Sequence, residues 1–152
     1  MVNIREWVVM SSGEFVTHGH GKNRLRYHIV LSTKYRRACL GGIEAVVYGV
    51  FRGVEAMSDF TIVEMGIDDG NHIHLVVRSK PSLSPSQIVR RLKQLSTNAL
   101  WKQEHSHLSK FYWKKRALWS SGYFVSTIGA VSDKTVLQYI KNQSKVLANA
   151  ND

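Results

Sequence analysis

The sequence predicts an α+β domain in which one antiparallel sheet is covered by helices. Three observations carry that expectation. Short segments alternate apolar and polar residues with the period of a strand. Two longer segments carry apolar residues at helical spacing. A cluster of turn formers, Asp68-Asp69-Gly70-Asn71, joins two of the alternating segments as a hairpin.

The elements follow in order. Residues 24–32, RLRYHIVLS, place Leu25, Tyr27, Ile29 and Leu31 on one face and predict the first strand. Gly41 and Gly42 form a loop. Ile43, Val46, Val47, Val50, Val54 and Met57 then recur at helical spacing. Residues 60–67, FTIVEMGI, and 72–78, HIHLVVR, predict the hairpin strands. Ser84-Pro85-Ser86-Gln87 is a helix start. Ser84 can cap, Pro85 suits the first helical position, and Gln87 can close a capping box. Ile88, Leu92, Leu95 and Ala99 give that helix an apolar face, with Arg90, Arg91 and Lys93 largely off it. Residues 122–129, GYFVSTIG, predict a fourth strand, and Trp119 just before it reads as a core residue. A last helix is expected from about Asp133 to Leu147, capped by Ser132. The first six elements have the order of the ferredoxin-like βαββαβ (RRM-like) arrangement, whose first and third strands lie in the middle, and the C-terminal helix is an addition to it. Residues 1–20 form an N-terminal lead-in and 21–150 a single domain.

Composition narrows the class. The chain has 152 residues, 43% hydrophobic and 21% charged. That suits one folded domain with one core. No apolar run approaches the roughly 20 residues that cross a bilayer. The first residues do not read as a secretory signal, and a cytoplasmic protein without a membrane partner is expected. Cys39 is the only cysteine, which excludes an intrachain disulfide and a cysteine-rich zinc site.

The net charge is +10 and it is concentrated. Residues 15–43 hold Lys22, Arg24, Arg26, Lys34, Arg36 and Arg37 and no acid. Residues 78–116 hold ten Lys/Arg against Glu104 alone. Both segments carry aromatics, in Lys34-Tyr35-Arg36-Arg37 and in Tyr112-Trp113-Lys114-Lys115-Arg116. Cations neutralise phosphates and aromatic rings stack on unpaired bases, so single-stranded nucleic acid is the expected partner. The DNA-binding set expected from these runs and the basic helix is Lys34, Tyr35, Arg36, Arg37, Arg90, Arg91, Lys93, Lys114, Lys115 and Arg116.

Two further constellations bear chemistry. His72 and His74 are two apart in a strand, so both imidazoles project from one face and can converge on one metal ion. Tyr139 and Gln143 are four apart and share a helix face. A tyrosine can act as a covalent nucleophile, and an amide oxygen suits a hard divalent ion. Alone, each pattern also fits ordinary surface or packing residues.

Together, KYRR at 34–37, HIHLVV at 72–77, IVRRLK at 88–93, LWSSGYFVSTIG at 118–129 and YIKNQ at 139–143 resemble the single-tyrosine HUH transposases of small insertion sequences that move as single-stranded DNA. The resemblance spans about residues 22–147, in the family's order and spacing. It implies that His72, His74 and Gln143 bind a divalent ion, Mg²⁺ or Mn²⁺, and that Tyr139 is the catalytic nucleophile. It also implies a 5′-phosphotyrosine intermediate with a free 3′ hydroxyl, rejoining without ATP, DNA hairpins at the element ends as substrate, and a homodimer with shared active sites. One departure from the pattern is Asn71, where the family often has an acidic residue. Other functions stay open at this point: a non-catalytic RNA- or single-strand-binding module on the same fold, a metal-dependent nuclease with no covalent step, and a genome-resident relative acting on dispersed palindromes.

Overall fold

The computed structural model describes residues 25–128. The lead-in at 1–20, the expected last helix, Tyr139 and Gln143 lie outside the described residues. Strand β1 (Leu25–Ser32) is followed by a 3₁₀ turn at Lys34–Arg36 and helix α1 (Glu44–Ala56). The hairpin of β2 (Thr61–Asp68) and β3 (His72–Ser79) comes next. Helix α2 (Pro85–Gln103), a short α3 (His105–Ser109) and β4 (Phe124–Ile128) complete the described chain.

The sheet order is β2-β3-β1-β4, and every adjacent pair is antiparallel. The first and third strands are therefore central, as the element order predicts. Tyr27, Ile29 and Leu31 of β1 and Ile73, Leu75 and Val77 of β3 face one core with Val47, Val50, Phe51 and Val54 of α1 and Ile88, Val89 and Leu92 of α2. That places the two long helices on one face of the sheet, where they pack against each other. The other face of β1 and β3 carries His28, Val30, His72, His74 and Val76, which are also buried.

The start of α2 is as expected. Ser84 Oγ accepts from the Gln87 backbone N–H, and the Gln87 side chain accepts from the Ser84 N–H. The apolar face of α2 holds the expected Ile88, Leu92, Leu95 and Ala99 and is wider than they mark. Leu95 and Ala99 are only partly buried, whereas Val89, Ser96 and Leu100 are fully covered. Ser96 on that face meets Trp119, whose indole N–H donates to Ser96 Oγ at 2.9 Å from within the core. Among the described residues, no helix is long and apolar enough to cross a membrane.

The β2–β3 turn fixes the position of everything functional on β3. Asp69 and Gly70 both have positive φ, 54° and 66°, and Asn71 N–H donates to Asp68 O. This is the primed turn whose twist suits a hairpin. Gly70 also packs against the 38–41 loop, where an added Cβ would sit 3.1 Å from Gly41 N and 3.3 Å from Ala38 O. Its carbonyl accepts from Leu40 N–H, and the Asn71 carbonyl accepts from Thr33 N–H. Gly70→Val is expected to destabilise the chain by about 1–3 kcal/mol, the scale for a side chain forced into the left-handed region. The urea midpoint, compared with the wild type, measures it.

Candidate metal centre and nucleic-acid surface

His72 and His74 leave the same face of β3, as the strand period requires, with ring centroids 5.1 Å apart. Asp68 pairs directly with His72 across the hairpin. Its Oδ2 lies 3.1 Å from His74 Nε2 and 3.5 Å from His72 Nε2. One atom from each of the three side chains falls within 4.8 Å of the other two. Asp68 was not anticipated from sequence. The only signal available was its place at the end of β2, opposite the histidine that it meets.

The two rings are held from behind. His72 Nδ1 lies 2.6 Å from Asn71 Oδ1. An amide oxygen only accepts, so Nδ1 carries the proton and Nε2 keeps its lone pair. His72 Nε2 is buried and makes no hydrogen bond among the described residues. Asn71, the departure noted in the sequence, thus orients His72. His74 Nδ1 lies 2.9 Å from Nε2 of His28, a fully buried residue of β1 that no motif marks. Burial and the neighbouring His74 push the His28 pKa down to about 3, so this imidazole is neutral. Burial, and then the charge of His74, also lowers His72, against the opposing pull of Asp68 and Asp69. Neutral imidazoles are the form that binds metal. Two imidazole nitrogens, one of them buried without a hydrogen bond, and one carboxylate oxygen fit a divalent cation.

The basic–aromatic runs meet beside this centre. Thr33, tied to Asn71, leads straight into Lys34–Arg37. Tyr35 and Arg36 adopt positive φ, 60° and 51°. This strained turn separates the run. Arg36 lies close enough to His72 for its charge to oppose protonation there. Arg37 turns away and sits between Tyr35 and Trp113, its guanidinium carbon 5.0 Å and 4.8 Å from the two ring centroids, and donates to Phe111 O. Tyr112 pins the turn by donating to Lys34 O at 2.7 Å.

Lys34, Tyr35, Arg37, Trp113, Lys114 and Lys115 line a cleft of about 300 Å³. Tyr35 is 71% and Trp113 66% exposed, unusual for such large rings. A second groove, of about 580 Å³, shares Lys34 and Ala117 with it and adds Arg90, Gln94, Asn98 and Arg116. Two expected DNA contacts stand differently. Lys93 also borders the groove, but its ammonium donates to Ser120 O and Gly122 O, holding α2 to the approach to β4, and burial lowers its pKa. Arg91 lies apart, donating to Ser58 Oγ and Met57 O at the end of α1.

The family model described as "Transposase IS200 like" matches residues 22–143. The chain belongs to the IS200-like transposase family. The transposase for insertion sequence element IS200 of Salmonella typhimurium is 31% identical over 132 residues, covering 86% of this chain and 84% of that protein, and the one of Salmonella typhi matches equally. Among solved structures, a candidate transposase from Deinococcus radiodurans superposes with a TM-score of 0.63 at 24% identity, covering 88% of this chain and 98% of that one. A REP-associated tyrosine transposase bound to a REP hairpin superposes with a TM-score of 0.50 at 12% identity, covering 85% of this chain and 68% of that one. At those identities the two structures establish the shared fold. The IS200-like family fixes the broad activity as that of a transposase, and the Asp68–His72–His74 group is where this member can hold a metal ion.

Proposed function

We propose that this IS200-like transposase cleaves and rejoins single-stranded DNA at hairpin-marked element ends through a covalent 5′-phosphotyrosine on Tyr139. The convergence of His72 Nε2, His74 Nε2 and Asp68 Oδ2 at one buried point carries the reading. A binding module without chemistry has no use for that donor set. His72, His74 and Asp68 would hold Mg²⁺ or Mn²⁺, with Gln143, which the family resemblance names as a ligand, completing the set. When bound, the ion polarises the scissile phosphate and stabilises charge developing on it. Arg36 adds a fixed positive charge on the same side. The Tyr139 phenol supplies the nucleophile and releases a 3′ hydroxyl, and a 3′ hydroxyl from another cleaved end later attacks the phosphotyrosine in reverse, freeing the phenol. No external energy source is needed, because one phosphoester replaces another.

The DNA follows the basic–aromatic clefts. Tyr35 and Trp113 offer exposed rings to unpaired bases, and Lys34, Lys114, Lys115, Arg90 and Arg116 neutralise phosphates. The REP-associated tyrosine transposase of similar fold is bound to a REP hairpin, which favours a hairpin here too. The working protein is a homodimer in the cytoplasm, and the edge strand β4 is the place where two sheets join.

The direct test is incubation of labelled single-stranded DNA carrying the flanking palindrome with Mg²⁺ or with chelator. Cleavage only with the ion supports the reading, and equal cleavage in excess chelator contradicts it. Binding can be checked separately. Affinity for a hairpin with single-stranded flanks should exceed that for duplex. It should fall roughly 10³-fold between 50 mM and 200 mM salt if about six phosphates are contacted. Tyr35→Ala and Trp113→Ala should each cost about 1–3 kcal/mol of binding without changing the salt slope. Lys114→Ala should lower the slope by about one. Fluorescence anisotropy titrations at several salt concentrations distinguish these outcomes.

A further inference from the structure

We propose that His28 is the positioning residue that sets the metal-binding nitrogen of His74. The proposal rests on the metal reading above and adds a residue to it from a different strand. His28 lies on β1, diagonal to His74: in the β1–β3 register Val30 faces His74 and His28 faces Val76. The two rings are 16° from coplanar and 5.2 Å apart between centroids. With the nitrogens 2.9 Å apart, that separation means they point at each other along the line of centres. The rings therefore meet edge to edge, in the plane where a nitrogen lone pair lies, and not face to face. This is the geometry of an N–H···N hydrogen bond.

The bond has one direction compatible with a metal at His74 Nε2. That nitrogen must offer its lone pair to the ion, so the ring N–H of metal-bound His74 sits on Nδ1 and is donated to His28 Nε2. Metal-binding histidines usually donate their second N–H to a carboxylate, a carbonyl or water. Here a second imidazole takes that part, and it brings no charge into a fully buried position. Phe124 of β4 meets the His28 ring edge-on, at 5.2 Å and 72°, and keeps its plane in register with His74. His72 is treated the same way from the other side by Asn71, so both Nε2 atoms face Asp68.

The test is Mn²⁺ binding to the full chain without DNA, followed by the electron-spin resonance signal of free Mn²⁺. His28→Leu removes the acceptor, and His28→Gln places an amide oxygen near the position of Nε2. The expected result is a roughly 10–100-fold weaker Mn²⁺ affinity for His28→Leu, with His28→Gln close to wild type. Thermal melting of each variant reports folding. A folded His28→Leu protein that binds Mn²⁺ as tightly as wild type overturns the proposal, as does an equal loss in both variants, which marks a packing role. If His28→Leu does not fold, the wild type decides. In the Mg²⁺-loaded, ¹⁵N-labelled protein, a coupling across the hydrogen bond should join His74 Nδ1 to His28 Nε2, with the proton on His74. No coupling, or a proton on His28 Nε2, overturns it. A wild-type chain that binds no Mn²⁺ contradicts the metal reading itself, and this proposal falls with it.

Discussion

His72→Ala and His74→Ala are each expected to lose cleavage by at least about 10²–10³-fold, the scale for removing one group that stabilises transition-state charge. The loss should appear in Mn²⁺ binding as well as in rate. The two side chains are buried in the centre of the sheet with their Nε2 atoms converging on Asp68 Oδ2. Alanine leaves Asp68 with one imidazole partner in place of two, and one ligand fewer for the ion. Asp68→Asn tests the third member. It keeps the volume and removes the charge, so affinity should fall while thermal stability holds. Parallel measurements of Mn²⁺ affinity and single-turnover cleavage check all three variants. Full cleavage by a His74→Ala protein that binds no Mn²⁺ would separate the metal from the chemistry and sink the assignment.

Much of this centre could be read from the chain, and the reason is local. In HIHLVV the two histidines are two apart in a strand, so they must share a face, and the strand period fixes their neighbours. The capping box at Ser84–Gln87 and the Asp-Gly turn at 69–70 are likewise complete within four residues. What was not legible is non-local. His28 meets His74 across 46 residues, through a register that only the sheet order determines. Asp68 becomes a partner because the hairpin turn places it opposite His72. The twist of the KYRR run, with Tyr35 and Arg36 in the left-handed region, has no sequence signal because neither residue favours it. Lys93 lies on the basic helix and borders the groove, but its local sequence does not show what its ammonium meets. Tertiary packing gives that ammonium two carbonyl oxygens, Ser120 O and Gly122 O. The short α3, HSHLS, carries too few residues for a periodic pattern.

The second large effect concerns assembly. Tyr139→Phe and His72→Ala proteins, each inactive alone, are expected to recover cleavage when mixed and allowed to exchange subunits. In a dimer with shared sites, each site takes its histidines from one chain and its tyrosine from the other. A mixed dimer then holds one site with both intact. Random exchange makes about half of all dimers mixed, each with one working site of two, so about a quarter of wild-type activity should return if sites act independently. The arrangement has physical support in the sequence. Among the described residues β4 is an edge strand, and the sequence after it, Gly129-Ala130-Val131, is mostly small residues, which suits a connection to a partner. Exchange can be verified by mixing differently tagged chains. Activity that stays absent after verified exchange would mean that each site is built within one chain.

The proposed reaction passes through a covalent bond between Tyr139 and DNA, so the most direct measurement looks for that bond. Wild-type and Tyr139→Phe proteins are incubated with single-stranded DNA carrying the palindrome and Mg²⁺ or Mn²⁺. The products are resolved by denaturing electrophoresis, and the adduct is digested for peptide mass spectrometry. The predicted result is a denaturant-resistant protein–DNA species in the wild type, with the 5′ phosphate on the peptide containing Tyr139. The Tyr139→Phe protein should bind the hairpin with wild-type affinity and form no adduct. Cleavage by the wild type with no covalent species, or an adduct that persists in Tyr139→Phe, would contradict the account.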